Sequence, residues 1–341
     1  FGRVDGLRQI IARVLEFLRV RTTPGDPTCR FSRALSQALE LAPITDHERD
    51  RIDLTQPFST WPDRDEIVRR LCANYARLLD INVEGEPDDY LLWEAVDVRA
   101  TFGDPAKLPD VEHLCLAVLI LEGACSDIAS ANWDGLIESS IAALAGGQPA
   151  LSVCARPEDL REPAAHGRLI KFHGCAVRAA QHEAAYRPFL VARQSQINGW
   201  LLRPENAALR GRLVDLVATK PTLMIGLSAQ DSNIQALFAE AAVHMPWRWP
   251  GDRPSYVFSE NELGGDQQGL LKNVYCQDLT PANRQQIVDG SRIQAFANPL
   301  LLALVLHLLC SKVRTLVDLA VGAIPLADRQ PLRDGVVALR D

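Results

Sequence analysis

Residues 127–172 read DIASANWDGLIESSIAALAGGQPALSVCARPEDLREPAAHGRLIKF, and in this segment short apolar runs alternate with helical periodicity. The runs Asp127–Ala131, Leu151–Ala155 and Arg168–Phe172 have the length of strands, whereas Asp134–Leu144 has the spacing of a helix. Since these runs are apolar on both faces, they predict parallel strands that helices cover on two sides.

The same alternation continues towards the C-terminus. Thr222–Ile225 and Ser255–Phe258 predict two further strands, and helical periodicity recurs over Glu183–Gln196, Asn206–Ala218 and Gln230–Val243. Strands that alternate with helices in this way are typical of the α/β class. We therefore predict a doubly wound, Rossmann-like parallel sheet.

Helical patterns flank this region on both sides. One predicted helix begins at Ser32, a possible N-cap, and runs to Leu41, and another stretch from Asn283 to about Val321 also reads as helix. We divide the chain accordingly into residues 1–41 as the N-terminal part of the α/β core, 42–110 as a helical insertion, 111–279 as the main core, and 280–341 as a helical C-terminal cap.

Composition limits the possible classes of protein. The chain has 341 residues, a formal net charge of −7, 47% hydrophobic residues and 23% charged residues, which is enough to build a sizeable core and excludes a disordered chain. Proteins that grip a nucleic-acid backbone need a basic surface, and the negative charge gives no direct signal of that kind.

The eight cysteines indicate a reducing compartment. No two of them form a CxxC pair, so the sequence has no zinc knuckle and no redox pair. The longest apolar run, Pro299–Leu309, is about half the length of a membrane span, and no secretory signal opens the chain. We expect a cytoplasmic protein without a membrane partner, and because the first residue is Phe1 we expect further residues upstream.

Polar residues follow most of the predicted strands at the point where each strand ends. They are Asn132 and Asp134 after the first strand, His173 after the third, Gly226 to Asp231 after the fourth, and Glu260 after the fifth. Ligands of open α/β sheets bind at the carboxyl ends of the strands, so this clustering is the main functional signal in the spacing.

Four of these segments resemble the sirtuin-like NAD-binding family in order and spacing. They are SANWD at 130–134, KFHG at 171–174, GLS at 226–228 and FSE at 258–260. With its insertion and without a zinc module, the chain is more similar to the bacterial sirtuin-like proteins of anti-phage defence than to deacylases. The resemblance extends over about residues 125–262 and implies an enzyme that hydrolyses NAD, its substrate, to nicotinamide and ADP-ribose.

The resemblance implies roles for individual residues. His173 would be the catalytic base, and Asn132 would orient the ribose hydroxyls or the attacking water. The predicted cofactor-binding residues are Asp134, Gly226, Ser228, Asp231 and Glu260. Among them Asp134 is equally well explained as a helix cap, Gly226 and Ser228 would let the backbone approach the phosphates, Asp231 lies in the first turn of the next helix, and Glu260 would bind the adenosine ribose. The separations of His166, His173 and His182 match no metal motif, and we expect no metal.

One motif of the family is missing. Where the family has a glycine-rich G-A-G-x-S loop followed by G-I-P, this chain has only TTPGDPT at 22–28. Either the loop is degenerate and NAD binding is weakened, or its residues are not part of this chain. The alternative function is therefore a catalytically silent sensor or scaffold that binds NAD or ADP-ribose. Protein deacylation is disfavoured, since there is no zinc module to frame a peptide cleft.

The resemblance also implies regulation and partners. A role in defence by NAD depletion requires an enzyme that stays inactive until a trigger assembles or rearranges it. We expect NAD or a related nucleotide as the small-molecule partner, and a homo-oligomer or an activating protein as the macromolecular one.

Overall fold

The computed structural model describes residues 6–163, 166–245, 247–251, 256–275, 278–320 and 323–341. Ser255, Cys276 and Val321, which the sequence analysis mentions, lie outside these residues.

The N-terminal third is helical. Its helices are α1 (Leu7–Arg21), α2 (Arg30–Leu41), α3 (Asp46–Asp50), α4 (Arg64–Cys72), α5 (Tyr75–Leu79), α6 (Val98–Phe102) and α7 (Val111–Leu121), with a 3-10 turn at Phe58–Thr60 and a π-helical turn at Leu91–Ala95. Apolar residues of α1 at helical spacing, among them Ile11, Leu15 and Leu18, are fully buried and form one core with the helices that follow. The second helix begins at Arg30 and not at the expected Ser32.

The remaining chain alternates strands and helices. The strands are β1 (Asp127–Ser130), β2 (Leu151–Cys154), β3 (Gly167–Lys171), β4 (Thr222–Ile225), β5 (Tyr256–Ser259) and β6 (Arg292–Ile293). The helices are α8 (Leu136–Leu144), α9 (Ala176–Gln181), α10 (Glu183–Tyr186), α11 (Gln194–Gly199), α12 (Ala207–Thr219), α13 (Ser232–His244), α14 (Gly265–Tyr275), α15 (Arg284–Gly290), α16 (Ala297–Leu319) and α17 (Leu326–Arg340), with 3-10 turns at Pro157–Arg161, Arg187–Phe189, Trp200–Leu202 and Pro204–Asn206. The five predicted strands agree with β1 to β5 to within one residue at each end, and the sequence analysis did not predict β6.

All strand pairs are parallel, and the fold is α/β. The described strands form two sheets of three strands each, in the orders β1-β3-β2 and β4-β5-β6. The expectation of a single continuous sheet therefore differs from the structure, in which β1 and β4 are each an edge strand.

Side chains connect the two sheets. The carboxylate of Asp127, at the start of β1, accepts hydrogen bonds from Lys220 Nζ and Arg212 Nη2, each at 2.9 Å. A shared apolar core also contains Ile170 of β3 together with Met224 of β4. The two sheets are therefore parts of one packed body.

The C-terminal stretch is helical but interrupted. The helix predicted from Asn283 to about Val321 is broken by β6 and by residues 294–296, and α16 begins only at Ala297. Among the described residues α16 is the one helix that is long and apolar enough to cross a membrane by length and composition, which the run Pro299–Leu309 alone did not indicate. It packs between α7 and α17.

Candidate functional site at the carboxyl ends of the strands

Strand register brings the predicted site residues to one edge of each sheet. Ser130 of β1 pairs with Lys171 of β3, so Asn132 and His173 each stand two residues beyond a matched pair. Ile225 of β4 pairs with Ser259 of β5, so Gly226 and Glu260 each stand one residue beyond theirs. The parallel topology thus aligns these residues in pairs at the carboxyl ends of neighbouring strands.

The backbone around His173 is fixed by its neighbours. The carbonyl of His173 accepts a hydrogen bond from the backbone N–H of Val191 at 3.0 Å. Gly174 has φ +90°, and a Cβ at this position would lie 2.6 Å from the carbonyl oxygen of Phe189. Glycine is therefore the residue that fits after His173, because any side chain would strain the turn and collide with backbone.

The imidazole of His173 is buried and joined to α13. His173 is 5% exposed, and its Nε2 lies 3.1 Å from Asn233 Nδ2. Asn233 Oδ1 accepts the backbone N–H of Ile234 at 2.9 Å, which leaves the amide NH₂ to face the ring. Because an amide nitrogen only donates, Nε2 is the acceptor, and the proton of the neutral ring resides on Nδ1.

Burial keeps His173 uncharged. It lowers the pKa of His173 to about 4, since the charged imidazolium loses its hydration there. At neutral pH the side chain is therefore a neutral imidazole whose basic nitrogen is engaged by Asn233.

Asp134 belongs to a buried polar cluster beside His173. Its carboxylate accepts the backbone N–H of Leu136 at 3.1 Å, next to the start of α8, and its carbonyl accepts from Lys171 Nζ. The ammonium group of Lys171 also lies 2.7 Å from Glu138 Oε1 and 3.6 Å from Cys175 Sγ. Burial opposes the charge on Lys171 and is the largest single effect, but Glu138 and the other groups around the ammonium together hold the pKa of Lys171 above its ordinary value.

A cavity of about 180 Å³ borders this cluster, lined by Asp134, Glu138 and Cys175 among others. Glu138 Oε2 is buried and has no hydrogen-bond partner among the described residues. The cavity therefore lies beside a buried carboxylate oxygen that has no hydrogen-bond donor among the described residues.

The predicted phosphate-binding turn is exposed and includes left-handed backbone. Gly226 has φ +64° with open space where a Cβ would stand, and Ala229 also has a positive φ, of +57°. Ser228 is exposed, and its Oγ accepts the backbone N–H of Gln230 at 3.5 Å. A non-glycine residue in the left-handed region costs energy, and such strain is concentrated at functional turns.

Asp231 precedes α13 but does not cap it with its side chain. Its carboxyl group instead interacts with the side chain of Tyr75 in α5. Burial raises the pKa of Asp231, and the interaction with Tyr75 partly offsets this effect. The Tyr75–Asp231 contact connects the N-terminal helices to the carboxyl edge of the second sheet.

Asn132 and Glu260 are the two remaining predicted site residues. Asn132 is exposed, and Glu260 is half-buried with its backbone N–H donating to the carbonyl of Ile293 at 3.2 Å. The structure thus brings His173 against Asn233, and Asp134 against Lys171. The side chains of Asn132 and Ser228 and the backbone at Gly226 are exposed.

Residues 126–276 match the family model of the SIR2-like domain. This SIR2-like segment contains β1 to β5 and every predicted site residue, and it supports a sirtuin-like family and an NAD-related function. No curated protein matches the chain. In the described part of the SIR2-like segment, as in the rest of the described chain, no group of three His, Cys, Asp or Glu side chains is arranged to hold a metal ion.

Sequence reasoning missed the partners of two site residues in the SIR2-like segment. It singled out neither Asn233 nor Tyr75, because both contacts are long-range. Lys171 carried a usable signal, since a lysine inside the apolar run RLIKF is rarely buried without a partner.

Proposed function

We propose that this protein is an NAD glycohydrolase. It would cleave the bond between nicotinamide and ribose with water and release nicotinamide and ADP-ribose. The observation that carries the proposal is the SIR2-like segment with His173 and Asn132 in register beyond two neighbouring strands.

The reaction requires little covalent work from the protein. As the C–N bond breaks, its electron pair leaves with nicotinamide and positive charge develops on the ribose, as in other glycoside cleavages. Water forms the new bond to the same carbon, and its proton passes to a base. Asn132 is suited to orient the water or the ribose hydroxyls, because an amide both donates and accepts and has no charge to desolvate.

His173 is the proposed base, and its contacts determine when it can accept a proton. With its basic nitrogen bound to Asn233 and a pKa of about 4, it is a weak base. We infer that the present arrangement is a resting state, and that catalysis requires the imidazole to leave Asn233 and face water or substrate.

The remaining contacts would belong to binding. The open backbone at Gly226 and Ser228, followed by the N-terminus of α13, suits the phosphates of NAD. Glu260 would accept hydrogen bonds from the adenosine ribose, and Asp134 borders the cavity next to Lys171.

We further propose a cytoplasmic role in anti-phage defence by NAD depletion. A resting state with a neutral, engaged His173 suits an effector that an oligomer or an activating protein must switch on, because constant NAD hydrolysis would harm the cell. This role is supported by the resemblance to defence proteins.

A second candidate is a catalytically silent sensor that binds NAD or ADP-ribose. The engagement of His173 Nε2 by Asn233 favours it, as does the absence of the glycine-rich loop from these 341 residues. In a sensor the histidine would have a purely structural role.

The test is a turnover assay with matched histidine variants. Purified protein is incubated with NAD, and nicotinamide and ADP-ribose are quantified for wild type, His173→Ala and the control His166→Ala, whose histidine is exposed. The proposal expects wild type and H166A to show a low basal turnover, from the fraction of molecules whose imidazole has left Asn233, and H173A to lose it while its circular dichroism shows that it is folded.

Calorimetric titration with ADP-ribose separates the alternatives. Binding by all three proteins without turnover would favour the sensor. Equal turnover by wild type and H173A would contradict the role of His173, and the lack of both binding and turnover would contradict the enzyme and the sensor alike.

A further inference from the structure

An apolar stripe on α16 remains uncovered in the described structure. It consists of Leu302, Leu306, Leu309, Val313 and Leu316, which we call the α16 stripe. These side chains are between 39% and 64% exposed, although they belong to the one described helix that is long and apolar enough to cross a membrane.

The spacing of the α16 stripe is that of a coiled coil. Its members follow one another at intervals of four, three, four and three residues, which is the alternation of the a and d positions of a heptad. Leucine occupies all three d positions, and Leu306 and Val313 occupy the a positions. A helix that is buried in a globular core does not need this heptad spacing. A second helix does need it, because knobs-into-holes packing requires apolar residues at the a and d positions.

The other two faces of α16 are already occupied. Leu301, Val305 and Leu308 pack towards Cys115 and Leu119 of α7, and Lys312 Nζ donates to the carbonyl of Glu122 at 2.9 Å.

On the opposite side α17 covers the helix through Arg333, which pairs with Asp318, and Arg329, which donates to the carbonyl of Ala320. At about 100° per residue the α16 stripe lies between these two faces. It is therefore a separate third face and not the margin of either contact.

We propose that the α16 stripe pairs with the same stripe of a second copy of this chain. Under two-fold symmetry the two copies present the same stripe to each other. The leucines of one α16 stripe therefore pack against the leucines of the other. Coiled coils that select a different partner carry several charges at the positions that flank the seam, but here those positions hold a single charge, Lys312, among apolar residues that include Cys310 and Val317. The Lys312 ammonium group is paired with the Glu122 carboxylate within each copy, which offsets its repulsion of a second copy.

The contacts of α16 favour a helix partner over a bilayer. A membrane-spanning helix would have to separate from α7 and α17 and bury Lys312, Arg314 and Asp318 near one end of its apolar run. A second helix leaves the packing on α7 and α17 intact.

The size of the α16 stripe sets the expected strength of the dimer. Its exposed fractions correspond to an apolar patch on the order of 400 Å² per copy, as large as patches that mark interaction sites. Typical stable interfaces bury about 800 Å² per partner. We therefore expect a dimer that dissociates on dilution.

The test is sedimentation velocity over a wide range of protein concentration, with one variant in the stripe and one beside it. Leu309→Glu places a charge at the central d position. Leu304→Glu introduces the same charge at a residue of α16 that is 37% exposed but lies outside the stripe. Circular dichroism checks that both variants retain the helix content of wild type.

We expect wild type and L304E to reach twice the monomer mass at high concentration, and L309E to remain a monomer throughout. A wild type that stays monomeric at all concentrations would overturn the proposal, and so would an L309E variant that still dimerises. Co-sedimentation of monomeric wild type with phosphatidylcholine vesicles, lost in L309E, would replace it with a membrane surface.

Discussion

Asn233 Nδ2 donates a hydrogen bond of 3.1 Å to His173 Nε2 and thereby joins the end of β3 to the first turn of α13. The bond occupies the nitrogen that a general base would use. The state of His173 is therefore decided by a residue of the helix that follows β4, and exchanging that residue should change the basicity of the histidine.

Asn233→Asp should raise the pKa of His173. A carboxylate beside Nε2 stabilises the imidazolium, so we expect the pKa to rise from about 4 towards or above its ordinary value. NMR titration of the histidine ring measures it. Asn198→Asp, at an exposed position of α11, is the matched control and should leave the titration of His173 unchanged. An unshifted His173 in N233D would contradict the contact.

The burial of His173 should make stability depend on pH. Its pKa is lowered in the folded state, so the unfolded chain takes up the proton first as the pH falls. The contribution of the neutral His173 to the free energy of unfolding is fully present above about pH 6.5. As the pH falls from there towards 4, this contribution is lost, by about 3 kcal/mol. Urea unfolding of wild type and His173→Gln measures the difference. The loss on acidification should be smaller in H173Q, and equal losses would show that His173 titrates normally.

Gly174→Ala should destabilise the fold. The new methyl group would require an unfavourable φ and would meet the backbone of Phe189 and Leu190, and we expect a loss of about 2 kcal/mol or more in the free energy of unfolding. Gly211→Ala is the control, because Gly211 lies within α12 with open space around it, and there alanine should stabilise the helix by up to about 1 kcal/mol. A G174A variant as stable as wild type would contradict the close approach.

Among the cysteines that the structure describes, Cys29 should react fastest. The polar groups around its thiol, those of Ser32 above all, lower the pKa of Cys29 to about 6, whereas burial raises the pKa of Cys125. Iodoacetamide labelling followed by mass spectrometry should therefore modify Cys29 first at neutral pH. Ser32→Ala should slow this modification, and faster labelling of Cys125 would contradict the assignment.

The sequence predicted what depends on local pattern. Buried parallel strands are short apolar runs between turn residues, which is why β1 to β5 were located almost to the residue. The two residues of β6 were missed because they have no pattern of their own. The helix predicted over Glu183–Gln196 is broken into α10, a 3-10 turn and the start of α11, since Pro188 cannot continue an α-helical ladder.

The candidate site was predicted only in part for a related reason. Spacing and resemblance selected His173, Asn132 and Asp231 as side chains at strand ends. They did not identify the residues that contact these side chains, Asn233 at His173 and Tyr75 at Asp231, because those contacts depend on how distant elements pack. The division into two sheets could not be predicted either, because an apolar run predicts a strand but not the strand with which it pairs.

The division into two sheets has a consequence for local opening. Among the described residues β1 and β4 are each paired on one side alone, whereas β3 and β5 are central. None of the four residues of β1 is buried, in contrast to four of the five in β3. Amide hydrogens of β1 and β4 should therefore exchange with solvent earlier than those of β3 and β5. We thus expect these two edge strands to open as readily as the rim of any sheet, although each has a packed helix beside it in the chain.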